Sequence, residues 1–219
     1  MDTSNLAPDI NWVSKGAVTQ VKSIGNNCRS QWAFASTGAV EGRIFINTNV
    51  LPTISEQQLI DCSGAYGNYG CSGGRMENSF NFYKNNDPLN SRDYPYTAFD
   101  GYCKQDSFKG VGKVTSWTHV PPNSVEQLQA ALNLGPVAVA LETDKPAFMN
   151  YKSGVILNSC GKSVNGAGLA VGYATDNDLG LYFVVKMPFG TNWGDQGYVR
   201  IGATADNICG ILTDASYPN

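Results

Sequence analysis

Thiol and imidazole side chains, the ones that make activated nucleophiles and zinc sites, are few in this sequence: six cysteines, at 28, 62, 71, 103, 160 and 209, and one histidine, His119. A cysteine within reach of a histidine makes an activated thiolate. Cys/His sets make zinc sites, and cysteines in pairs make bridges. No C-x2-C pair occurs, and His119 is distant in sequence from every cysteine, which argues against zinc. An even number of cysteines scattered along a mid-sized chain points instead to disulfides formed in an oxidising compartment, rather than to buried reduced thiols. Spacing alone leaves the pairing open. Ser30 precedes an apolar-periodic run and reads as a helix-start residue capping backbone N–H groups, not as a nucleophile.

These residues must be held by a substantial core. The chain has 219 residues, 42% of them hydrophobic and 15% charged, enough for one large domain or two small ones. The net charge of −3 comes with no Lys/Arg-rich run, so nucleic acid and anionic membrane surfaces are not expected partners. No apolar stretch approaches the roughly 18 residues that span a bilayer. The N-terminal residues carry no signal-peptide pattern.

The elements change character halfway. Trp32, Ala35, Ala39, Val40 and Ile44 recur near the helical period and predict a helix over Ser30–Asn47, with small residues that invite close approach by its neighbours. Ser55-Glu-Gln-Gln58 reads as a capping box opening a short helix that ends near Cys62. Met76, Phe80 and Tyr83 mark a third helix from Arg75 to about Asn85, after a Gly-, Tyr- and Ser-rich loop from Gly64 to Gly74. Ser124 caps a fourth helix, stopped by Gly135-Pro136. Strand-like runs follow at Val137–Glu142, Gly168–Ala174, Leu181–Met187 and Gly197–Ile201. Helices first and strands later predict an α+β fold of two lobes, with a boundary near Lys113–Pro121 and a site in the crevice between them.

Ordered blocks make the pattern specific. They include Asp9-Ile-Asn-Trp12, Trp32-Ala-Phe34, Val40-Glu-Gly42, Ser55-Glu-Gln-Gln-Leu-Ile-Asp-Cys62, Gly70-Cys-Ser-Gly-Gly74, Asp93-Tyr-Pro-Tyr96, Ala170-Val-Gly-Tyr173 and Gly190-Thr-Asn-Trp-Gly-Asp-Gln-Gly-Tyr198. Together, over nearly the whole length, the chain resembles the papain family of cysteine peptidases, and within it the mature cathepsin L-like domain. The resemblance implies a helical left lobe over 13–113 with the tail 213–219. It implies an antiparallel, β-barrel-like right lobe over 114–212 with the strap 1–12. It also implies the pairs Cys28–Cys71, Cys62–Cys103 and Cys160–Cys209, each worth ~3–4 kcal/mol through the unfolded state.

The same resemblance tells which residues stand at the family's working positions. Gln31 falls at the nucleophile, Gly166 at the general base, Met187 at the orienting asparagine, Phe189 at the tryptophan that shields it, and Ile24 or Gly25 at the oxyanion glutamine. With all six cysteines implied to be bridged, and His119 placed far from the cleft, Cys–His catalysis is expected to lack its parts. Loss of a triad costs on the order of 10⁶ in rate. The sequence is therefore expected to encode a catalytically inactive homologue with a neutral, roomier hollow where imidazole would sit. It would act by binding a peptide or protein in the cleft. Alternatives are a structural or storage protein on this fold, and an engineered binder or enzyme using the emptied cleft. The groove residues implied are Gly73 and Gly74 against a peptide backbone, and Trp193 flooring the far side. Met76, Ala140, Val164 and Asp214 line the pocket for the side chain two before the scissile bond, with Arg75 at its rim and Asn165 elsewhere in the groove. Asp214 at its base would favour a basic group. Gln31, Asn165, Asp195 and Asp214 are the polar candidates near the cleft, and none pairs as an acid and a base. No cofactor and no metal are expected. The chain is expected to be a monomer, secreted or lysosomal/vacuolar.

Overall fold

The computed structural model describes residues 1–219. Its central element is helix α1, Gln31–Thr48, buried on nearly every side from Trp32 to Gly42. A helix without a polar face belongs inside a protein, and its small residues let neighbours come close. A Cβ on Gly38 would lie 2.7 Å from Leu169 Cδ2, and one on Gly42 would lie 2.6 Å from Pro136 Cγ. Asn49, in the left-handed conformation at φ 58°, ends the helix and donates to Phe45 O at 2.7 Å.

Helices α2, Glu56–Cys62, and α3, Met76–Tyr83, pack beside α1. Ser55 caps α2 by accepting from Gln58 N at 3.0 Å. Gln58 does not return the favour as a capping box would. Its side chain accepts from Leu89 N and donates to Asp87 O, fixing the following loop to the helix. Helix α4, Val125–Leu134, is capped by Ser124, and α5, Pro146–Met149, is a single turn.

Seven strands form one antiparallel sheet: β1 Ile10–Asn11, β2 Trp117–His119, β3 Val137–Leu141, β4 Gly166–Asp176, β5 Gly180–Lys186, β6 Tyr198–Gly202 and β7 Ala215–Pro218. The order is β2-β7-β3-β4-β5-β6, with β1 added to β4. The two ends of this path do not pair, so the sheet is open. Pairing of Ile10 with Tyr173 brings the N-terminal segment to the strands, and pairing of Thr118 with Tyr217 does the same for the C-terminus.

Two hydrophobic cores result. One is built on the sheet around Val139, Phe183 and Ile201. The other surrounds α1, α2 and α3, and takes in Ala138, Ala140, Ala167, Leu169 and Val171 from the strands. The fold is thus α+β with two lobes, joined along α1, β3 and β4. Cys28 is bonded to Cys71, Cys62 to Cys103 and Cys160 to Cys209, and no cysteine is free. No helix is long and apolar enough to cross a membrane.

Candidate functional site

A groove of about 720 Å³ runs between the lobes. Gln31, Gly73, Gly74, Arg75 and Met76 line it from the helical side. Ala140, Val164, Asn165, Gly166 and Asp214 line it from the strand side. The glycine pair is shaped by its surroundings. Gly73 sits at φ 126° with nothing near its missing Cβ, and Gly74 lies against Trp32 and Asn68 so closely that a Cβ would stand 2.7 Å from the indole. Asp214 is held where it is because its carbonyl accepts from Ala140 N at 2.8 Å.

At the centre, α1 begins with Gln31 and β4 with Gly166. The Gln31 Oε1 accepts from Ala167 N at 3.0 Å, so one carboxamide spans the cleft. A Cβ on Gly166 would collide with that same oxygen and would lie 2.7 Å from Thr143 Oγ1. The space opposite α1 is thus occupied by Gln31 and Thr143, and the roomier hollow expected there is not formed. Asn165 does not project freely either: its Oδ1 accepts from Thr143 N at 2.8 Å and from Thr143 Oγ1 at 3.0 Å. Ser30 precedes α1 but caps nothing with its side chain. Its hydroxyl instead pairs with Tyr96 OH at 2.8 Å, and that phenol donates to Ile24 O at 2.9 Å.

Four expected residues lie off the groove. Ile24 is tied through its N–H to Pro188 O at 2.9 Å. Met187 is fully buried behind Gly168, not facing the cleft. Phe189 and Trp193 stack edge to face at 5.1 Å, and the indole N–H donates to Met149 O. They form an aromatic shelf beside the groove. Asp195, another polar candidate, pairs with Arg200 at 3.1 Å.

The pocket's charges are more connected than the sequence suggested. Arg75 contacts Asp214 at 3.1 Å and Glu77 at 3.3 Å. His119, expected far from the cleft, stands with Nε2 at 3.3 Å from Asp214 Oδ1. Strand β2 pairs with β7, and that long-range pairing, invisible in local sequence, carries the imidazole beside the pocket. Burial and then the hydrogen bond with Glu77 push the Asp214 carboxyl above the usual carboxylate range. Burial alone would raise Glu77 as well, but the hydrogen bonds from Asp214 and Arg75 outweigh it and hold Glu77 low.

A second polar cluster escaped the sequence reading. Lys22 Nζ lies 2.6 Å from Glu56 and 3.6 Å from Glu41. Lys186 Nζ donates to Thr19 O at 2.7 Å. They surround a cavity of about 20 Å³ behind the groove, which Met187 also lines. Burial raises the Glu56 carboxyl and lowers the Lys186 ammonium to about 8. Glu41 inside the apolar face of the first predicted helix was the available signal.

Residues 6–219 match the family described as Papain family cysteine protease. The chain is 40% identical to procathepsin L of Mus musculus over 97% of its length and 65% of that protein's. It is likewise 40% identical to digestive cysteine proteinase 2 of Homarus americanus, over 99% of its length and 68% of that protein's. The chain thus spans about two thirds of the length of these relatives. The bromelain protease of Ananas comosus, solved with the E64 inhibitor, superposes with a TM-score of 0.91 at 36% identity, covering 98% of this chain and 99% of that one. These findings correct the expectation of an inactive, non-enzymatic homologue, and with it the storage-protein and engineered-binder readings. The matching family is one of proteases, the relatives are named as peptidases, and none of them points to a member that has lost activity.

Proposed function

Because the chain belongs to the papain family of cysteine proteases, we propose that it is a peptidase taking peptide substrates in extended form along the groove between its lobes. The observation that carries this reading is the groove itself. Gly73 has nothing near its missing Cβ, and the groove's lining continues from the glycine pair to Asp214. An exposed glycine backbone can pair with a substrate's amides as an added strand would. Met76, Ala140 and Val164 give the pocket apolar walls, and the Asp214 carboxylate favours a basic side chain at its end. Gln31 brings a carboxamide to the N-terminal end of α1, where helix N–H groups and the helix dipole favour developing negative charge on a carbonyl oxygen.

All six cysteines are in disulfides. Peptide cleavage by the oxidised chain is therefore expected to be insensitive to thiol-alkylating reagents. The three bridges support a secreted or lysosomal/vacuolar setting, and the protein is proposed to work as a monomer.

The test is a set of fluorogenic peptides varied at the pocket position, read for turnover and, by calorimetry, for binding. Saturable cleavage with a preference for Arg or Lys is expected. Neither turnover nor saturable heat at millimolar peptide would overturn the proposal. Turnover abolished by a thiol-directed inhibitor would overturn the placing of Gln31 at the attacking position.

A further inference from the structure

We propose that Glu77, His119 and Asp214 form a binding site for a divalent transition metal ion of the zinc type, at the base of the groove's specificity pocket. Each residue offers one ligand atom, and the three atoms lie within 4.8 Å of one another. They come from separate parts of the fold: Glu77 from the first turn of α3, His119 from the end of β2, and Asp214 from the residue before β7. Imidazole nitrogen and carboxylate oxygen are the donors that suit zinc when no thiolate is present.

Three details favour an ion here. First, His119 Nε2 and Asp214 Oδ1 are 3.3 Å apart. That is the separation of two ligands held at tetrahedral angles by bonds of about 2.0–2.1 Å. Second, this Asp214 oxygen is sealed from solvent, with the His119 ring nitrogen as its near ion-pair partner. A buried carboxylate oxygen is costly unless it is well paired, and a cation held between it and the imidazole would pair it. Third, the two carboxylates already share a cation, because the Arg75 guanidinium lies against both. Its side chain is 65% exposed, so it can swing aside and leave the pair to a metal.

A metal at this site would close the pocket to basic side chains. That consequence rests on the peptide-binding reading, but the metal site itself does not, and its test needs no substrate.

The protein is first treated with a chelator and then titrated with zinc chloride by calorimetry at neutral pH. The unmodified chain is expected to bind one equivalent. His119→Ala and Asp214→Asn are each expected to weaken binding at least tenfold. Arg75→Ala is expected to tighten it several-fold by removing the competing guanidinium. In parallel, proton NMR of the unmodified chain follows the ring of its only histidine, whose signals should shift with the first equivalent. An unchanged isotherm for His119→Ala, or zinc bound with the ring signals unmoved, would overturn the site. Because the NMR arm uses the native chain, a variant that fails to fold still leaves the question decided.

Discussion

Gln31 and Gly166 occupy one volume between them, which makes each the other's constraint. Gly166→Ala places a methyl group on the Gln31 oxygen. The single variant is expected to lose about 1–3 kcal/mol, the usual cost of overpacking. Gln31→Ala should cost about 1 kcal/mol for its cross-cleft hydrogen bond. The double variant should lose less than the sum, and a denaturant double-mutant cycle reads the difference. Additive losses would show that the carboxamide is not held against Gly166.

The pocket carries a pH signature. Protonation removes the charge that Asp214 offers a basic side chain, and its carboxyl is raised above the ordinary range. Affinity for an Arg- or Lys-containing peptide, relative to a leucine analogue, should therefore fall as pH drops through a window above that of an ordinary aspartate. Asp214→Asn should flatten the profile. A relative affinity independent of pH in the native chain would contradict the assignment. At this scale Gly73, Gly74 and Met76, which the family resemblance places along the groove, do line it. The sequence failed for His119 and Met187, whose surroundings are supplied by strands far away in sequence. Ser30 misled because a tyrosine 66 residues on competes for its hydroxyl.

The elements themselves depend on close approach. Gly42 faces Pro136 and the Ala17 carbonyl, so Gly42→Leu should drive α1 away from its neighbours and destabilise by about 3 kcal/mol or more. Gly64→Ala, with open space around it, should change stability by less than ~0.5 kcal/mol. Thermal melts compare the two, and equal melting temperatures would refute the tight contact. Helix α1 was legible from its apolar period alone, and α2 and α4 from their start signals, with Ser55 and Ser124 capping as the sequence says. Strands β3 to β6 were legible from apolar runs. The missed strands β1, β2 and β7 have two to four residues each. Segments so short carry no period of their own and exist only because a partner strand is already there. Helix α5 is equally short, and only its Pro146 marks a start.

For the whole molecule, the buried ions behind the groove tie the lobes together: Glu41 lies on α1, Glu56 on α2 and Lys186 on β5. Glu56→Ala would strand Lys22 without its nearest carboxylate and should cost about 3–5 kcal/mol, read by urea unfolding. A loss under 1 kcal/mol would show that the cluster is well hydrated. Lys186 titrates at about 8 when folded, below its ordinary value. Between those two values the unfolded chain binds more protons, so this group makes stability rise with pH across that window. Lys186→Met should remove that rise.

One consequence of α1 concerns how such a chain could be taken apart. The helix is counted in the core beneath the groove, yet its glycines are filled by Leu169 and Pro136 from the strand half. The sequence can be divided at the groove on paper, but neither portion would inherit a finished interior. Swapping halves between relatives would therefore transplant a mismatched seam, and grafts that respect this molecule must carry the central helix together with the two strands that complete it.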